Sequence, residues 1–141
     1  MILQIVAGPD LNVHQLYQIW TIRDTVFAFE QHADDVDADG IDLNANVTHW
    51  WYDVDGEVAS YLRVIENEEY VKITRVCTRK EHRGSGLSTK LMNEAIAAHS
   101  GRKIKITAQA YLEDWYASLG FVRTGENFLE AGIDHVPMSL N

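Results

Sequence analysis

A chain of 141 residues can bury one core without disulfide or metal staples, and its 46% hydrophobic and 23% charged content is ordinary for a soluble globular domain. A formal charge of −9 argues against a nucleic-acid binder, which usually needs a basic face, although it would steer cationic partners inward. The single cysteine, Cys77, excludes an intrachain disulfide framework, no apolar run approaches the ~18 residues that cross a bilayer, and the uncharged N-terminus is no secretory signal; the expected setting is cytoplasmic, without membrane partners.

Residues 2–7 read as a strand, ended by Gly8-Pro9. Asn12 can cap the helix that follows, and Gln15 three residues later completes a capping-box pattern. Leu16, Ile19, Trp20, Val26 and Phe27 fall near helical spacing and predict a helix reaching Phe27, with Arg23 and Glu30 near its C-terminal end. Residues 32–46 are polar and acidic. Asp35-x-Asp37-x-Asp39-Gly40 matches the first half of a calcium loop, but Asp42 stands where an apolar residue is usual and Asn46 where a bidentate glutamate belongs. No metal site is assigned; an acidic surface loop near a substrate mouth is expected.

Strands resume at 48–54 and 57–65 around Asp55-Gly56, a strong two-residue hairpin signal. Asn67-Glu68-Glu69 makes a second turn into a strand over 70–78. A basic turn with Gly84 and Gly86 follows, then Leu87, Leu91, Met92, Ala95 and Ala98 at helical spacing until Ser100-Gly101. Residues 103–108 alternate as a strand, 111–119 form a short helix closed by Gly120, and 121–124 and 135–140 are closing strands with Ala131-Gly132 in the turn between them. The order β-α-β-β-β-α-β-α-β-β describes a mixed α/β fold: one mostly antiparallel sheet flanked by helices, a single domain over 1–141.

The junction of strand, glycine turn and helix start makes an anion site. The first helical amides lack intrahelical partners, the helix dipole adds positive potential, and the glycines let the backbone approach a ligand. A Walker loop does not fit, because Thr89-Lys90 follows the glycines without the second glycine in place. A dinucleotide loop does not fit either: Thr89 stands at the third glycine of GxGxxG, and the preceding strands form an antiparallel meander.

Glu81-His82-Arg83-Gly84-Ser85-Gly86 resembles the [QR]-x-x-G-x-[GA] loop of the GNAT superfamily of N-acetyltransferases, with Glu81 where Gln or Arg is usual. Gln109-Ala-Tyr-Leu-Glu-Asp-Trp-Tyr116-Ala-Ser-Leu-Gly120-Phe121 resembles the superfamily's downstream Asn-x-x-Ala-x-x-Leu-Tyr-x-x-x-Gly-Phe segment. Within the superfamily the chain is similar to the ElaA-like branch over nearly its whole length. The carriers are Ile22-Arg23-x-x-Val26-Phe27-x-x-Glu30-Gln31, Asp39-Gly40-x-Asp42-Leu43, His49, Ala108-Gln109-Ala110 and Leu129-Glu130-x-Gly132-Ile133-x-His135. Tyr111, Asp134 and Ser88 depart from it, standing where His, Pro and Gly are common.

The resemblance implies an acetyl-CoA-dependent N-acetyltransferase that needs no metal. It implies phosphate contacts from His82, Arg83, Gly84, Ser85, Gly86, Leu87, Ser88 and Thr89, and pantetheine contacts from Gln109 and the backbone of Val76, Cys77 and Thr78. Tyr116, also at the cofactor, is the expected general acid for the leaving thiolate. Thr74 and Arg75 occupy the strand where relatives often carry a glutamate, so Glu30 and His135 are the candidate bases. Arg23, Glu30, His49 and His135 are the expected substrate contacts. A lone cysteine on an apolar strand reads as buried and inert, not as a nucleophile. The expected acceptor is a primary amine, either a small molecule or a lysine side chain. The acidic loop either favours cationic acceptors or is simply solvated. A homodimer stays open, and the alternative reading is a non-catalytic acyl-CoA-binding module of the same fold.

Overall fold

Asp55 and Gly56 adopt φ of +52° and +79°, the paired left-handed conformations that a two-residue hairpin turn requires, so the flanking segments run back antiparallel. In the computed structural model, which describes residues 1–141, these segments are β2 (Val47–Val54) and β3 (Glu57–Glu66). With β1 (Ile2–Ala7), β4 (Val71–Thr78), β5 (Ile104–Gln109), β6 (Val122–Arg123), β7 (Phe128–Glu130) and β8 (Ile133–Leu140) they share one sheet in the order β1-β2-β3-β4-β5-β8-β6. β7, a three-residue strand too short to register in the hydrophobic pattern, lies on β8 beside β6. All neighbours pair antiparallel except β4 and β5.

Three helices cover the sheet: α1 (Val13–Arg23), α2 (Leu87–Ala98) and α3 (Glu113–Ser118). The capping box of α1 is formed in full: Gln15 N donates to Asn12 Oδ1 at 2.7 Å, and Asn12 N to Gln15 Oε1 at 3.0 Å. The α-helix stops at Arg23, short of the expected Phe27, and continues as a wider π turn over Asp24–Glu30, where Gln31 N reaches back to Val26 O at 3.1 Å. Hydrophobic spacing does not separate the two forms, because Val26 and Phe27 reach the core from either. The larger core packs Leu91, Met92 and Ala95 of α2 on Trp50, Leu62, Val64 and Ile73. The smaller packs Ile19, Ile22 and Val26 on Trp51, Tyr61 and Cys77 across the opposite sheet face.

One irregularity positions the site. Thr74 pairs with Arg63 and Cys77 with Tyr61, so two residues of β4, Arg75 and Val76, oppose the single Leu62 of β3. Arg75 takes a φ of +58°, strained for any residue with a Cβ. An extra residue flips the side-chain phase. Val71 and Ile73 therefore face the larger core, whereas Cys77 lies in the smaller one. Beyond the bulge β4 no longer follows β5: the parallel pair holds only at Val71–Ile104 and Lys72–Lys105, and then the strands part.

The segment joining the π turn to β2 is a surface loop, as expected, but not one that is simply solvated. Arg23 and Arg63 are essentially inaccessible, and the Asp42 carboxylate lies between them, 4% exposed. Asp42 Oδ1 accepts from Arg23 Nη1 at 2.7 Å and Arg63 Nη1 at 2.8 Å, and Oδ2 accepts from Trp20 Nε1 at 3.1 Å. Asp37 accepts from Arg23 Nε and Arg75 Nε, and Asp39 takes both Nη atoms of Arg63. No buried side-chain nitrogen or oxygen is left without a partner. Three arginines from α1, β3 and β4 thus fasten three aspartates of one loop. Gly8 completes the seat, since a Cβ there would meet the carbonyl oxygen of Asp42 at 2.5 Å.

Burial pushes the Asp42 carboxyl up, but hydrogen bonds and charge from Arg23 and Arg63 outweigh it and hold the group at about 2, below its ordinary 3.8. A depressed carboxyl stabilises the fold above its unfolded value and loses that contribution as pH falls toward its folded one. Asp42→Asn is therefore expected to cost about 2–3 kcal/mol in urea unfolding at neutral pH, because it takes from two buried guanidinium groups the carboxylate they share while each keeps one other aspartate. Its stability should also fall less steeply than that of the wild type between pH 4 and pH 2.

Candidate active site

Where β4 and β5 part, a cleft of about 870 Å³ opens through the middle of the sheet. Ile73 to Thr78 form one wall, Ile106, Thr107 and Gln109 the other, and the π turn, α3 and the β7–β8 hairpin close its ends. Because no strand pairs with the second half of β4 on this side, its backbone edge is free to take an extended, amide-bearing ligand.

The glycine loop borders the cleft between β4 and α2. Gly84 and Gly86 take φ of +86° and +82°, and a Cβ on either would meet nothing within 4 Å. Both glycines thus serve backbone direction, and the space over them is open. Gly86 caps α2 without any side-chain acceptor, so the first helical amides remain available to an anion. A chain of hydroxyls anchors this turn: Ser60 Oγ meets Thr78 Oγ1 at 2.8 Å, and Thr78 Oγ1 in turn meets Ser88 Oγ.

Tyr116 lies on α3 at 6% exposure, edge-on to Trp115 and Phe121, and lines the cleft. Burial pushes its phenol well above the ordinary value, so the hydroxyl keeps its proton through the neutral range. Cys77 lines the same cavity, and burial likewise raises its thiol far from thiolate formation. His135, opposite Gln109 across the β5–β8 pair, has one ring nitrogen committed: Nδ1 donates to Ile133 O at 2.7 Å. That bond makes Nε2 the basic nitrogen, and it lies 3.6 Å from Glu130 Oε2. Glu30, at the end of the π turn, is paired with Arg83 at 2.5 Å. Its neighbour Gln31 accepts from Gln109 Nε2 at 2.7 Å, so adjacent residues of one segment hold both sides of the cleft.

Of the expected site residues, Val76, Cys77, Thr78, Arg83, Ser88, Gln109, Tyr116, Glu30 and His135 line this single cavity. His82, Gly84, Ser85, Gly86 and Leu87 lie outside the cavity wall, next in sequence to Arg83 and Ser88, which line it. Thr89 is turned away, its Oγ1 accepting from Trp115 Nε1 at 3.0 Å. Arg23 and His49 correct the expected substrate contacts, for neither reaches the cleft. His49 Nε2 donates to Asp42 O at 2.8 Å, its Nδ1 accepts from the Tyr61 hydroxyl at 2.7 Å, and burial lowers its basicity. Both residues hold the acidic loop in place. Asp37 lines the cleft as an acidic loop near a substrate mouth should, whereas Arg75, Gln31 and Glu130 enter the site unannounced. Glu130 and Gln31 sat inside matched segments, whereas no local signal marks Arg75.

A family model described as an acetyltransferase (GNAT) domain matches residues 10–141. The UPF0039 protein Rv2851c of Mycobacterium tuberculosis is 41% identical over 141 aligned residues, covering 96% of this chain and 90% of that protein. An acyl-CoA N-acyltransferase from Pseudomonas aeruginosa superposes with a TM-score of 0.93 at 30% identity over 100% of both chains. Escherichia coli ElaA does so with a TM-score of 0.92 at 29% identity over 99% of both. No helix is long and apolar enough to cross a membrane. Sheet, parted strands, glycine loop and relatives agree, and the chain belongs to the GNAT acetyltransferase family.

Proposed function

We propose that this protein transfers an acetyl group from acetyl-CoA to a primary amine by direct attack. The observation that carries the reading is one cavity lined by a free strand edge, by Arg83 and Ser88 on either side of a glycine loop, by a protonated buried phenol and by a basic imidazole nitrogen. The residues present fit the donor. Open amides over Gly84 and Gly86 suit a pyrophosphate, the Val76–Thr78 edge suits the amides of a pantetheine arm, and Gln109 stands where that arm would pass. When bound, the donor supplies an activated thioester.

The chain's own groups then divide the proton work. His135 Nε2 accepts the proton that the attacking nitrogen must lose, since an ammonium has no free lone pair. As the new C–N bond forms and the C–S bond breaks, the Tyr116 hydroxyl gives its proton to the departing thiolate, and solvent restores it. Glu30 is the second candidate base, and its pairing with Arg83 bears on when it could act. Asp35 and Glu130 line the cleft without arginine or lysine partners, which favours a positively charged acceptor, whether a small molecule or a lysine side chain. A cytoplasmic setting belongs to the same reading.

Thiol release over a panel of amines with acetyl-CoA tests the function; tight acetyl-CoA binding with no release for any amine would make the protein a binding module instead. Tyr116→Phe is expected to lower kcat by about 10²–10⁴-fold while leaving the acetyl-CoA Kd unchanged, and an unaltered kcat removes Tyr116 from the role. Gly84→Val, which forces a β-branched residue into a left-handed backbone, should abolish acetyl-CoA binding in calorimetry while α2 stays folded.

A further inference from the structure

Arg83 is the side chain that joins the two halves of the cleft. Its Nε donates to Thr78 O at 2.9 Å, which pivots the guanidinium at the end of β4. Its Nη2 crosses to Glu30 Oε1, at the end of the π turn. Five N–H groups make up the guanidinium, so three remain for other acceptors. The residue is followed directly by Gly84, where the backbone turns left-handed and the space is open. Both partners are accessible, with side chains 43% and 23% exposed, so the pair can exchange for another anion without unfolding anything.

Phosphates on the loop and the Glu30 carboxylate are rivals for one positive charge. We propose that Arg83 is a charge switch between donor and acceptor sides: without donor it neutralises Glu30, and donor phosphates draw its charge to the loop and leave Glu30 as an unpaired anion for the acceptor amine. The inference rests on the acetyl-CoA reading above. It gives the enzyme an order of filling, because the acceptor's counter-charge is released only when the donor is seated. It also explains what the π turn is for, since that turn delivers Glu30 to the loop while Gln31 is held by Gln109.

The test is a calorimetric double-mutant cycle with coenzyme A on the full chain. Glu30→Gln removes the rival anion and should tighten CoA by about fivefold, the scale of an exposed ion pair, whereas Arg83→Ala should weaken it. In the Arg83→Ala background, Glu30→Gln should change nothing. Acetyl-pantetheine, which carries no phosphate, should bind wild type and Glu30→Gln alike. Unchanged or weaker CoA binding by Glu30→Gln overturns the switch, as does an equal tightening toward acetyl-pantetheine, which would mean a loosened cleft. Glu30→Ala must give the same sign as Glu30→Gln, with melting curves showing both folded. Wild type that fails to bind CoA would instead sink the donor reading itself, a result distinct from any of these.

Discussion

The Asp42 carboxylate, held between Arg23 and Arg63 in the smaller core, is the constraint on which the rest of the molecule depends. Taking three such charges out of water is expensive, and the cost is offset only where every donor and acceptor is matched. Here it is matched, through Asp37, Asp39, Trp20, Thr74 and the loop backbone. The cluster draws α1, β3, β4 and a long irregular segment to one point. A segment without helix or strand could not hold a wall of the cleft by apolar packing; ion pairs do it instead. In this protein much of the loop's acidity is thus directed at arginines: Asp37, Asp39 and Asp42 are paired, while Asp34 and Asp35 stay exposed.

The same cluster bears on the β4 bulge. Arg75 adopts its left-handed backbone while its guanidinium is bonded to Asp37. Local strain of this kind persists where the surroundings over-determine it. From the bulge follow the phase flip that moves Cys77 to the smaller core and the departure of β4 from β5 that creates the cleft. A polar cluster on one side of the sheet and a cavity through its middle are therefore one structural event.

Much of this was legible in the sequence. Glycine and asparagine turns fix hairpins by local chemistry, and Asp55-Gly56, Asn67 and the Asn12/Gln15 capping box behave as their types require. The two spaced motifs, Glu81 to Gly86 and Gln109 to Phe121, bracket the donor side of the cleft. What escaped the sequence was non-local. Arg75 is preceded by no glycine and followed by no proline, so the bulge has no local signature. Arg23 and His49 sit in matched segments, yet their partners lie 7 to 19 residues away, and a motif cannot tell a residue that touches a ligand from one that holds the loop that does. The π turn was hidden because helical periodicity is satisfied on either geometry.

Parting two neighbours in the centre of a sheet leaves their backbone edges unpaired, and unpaired edges are what other chains add to when proteins aggregate. Outer strands are usually blunted by charge, proline or brevity; the parted stretch of β4 and β5 has none of its own save Arg75. Its protection is geometric. The edges face each other across a cavity whose surround includes the loop, α3 and the β7–β8 hairpin, so other chains must pass these elements to reach them. Any change that unfastens the loop would then do more than disturb the cleft: it would bare an adhesive edge, and loss of solubility would accompany loss of the site.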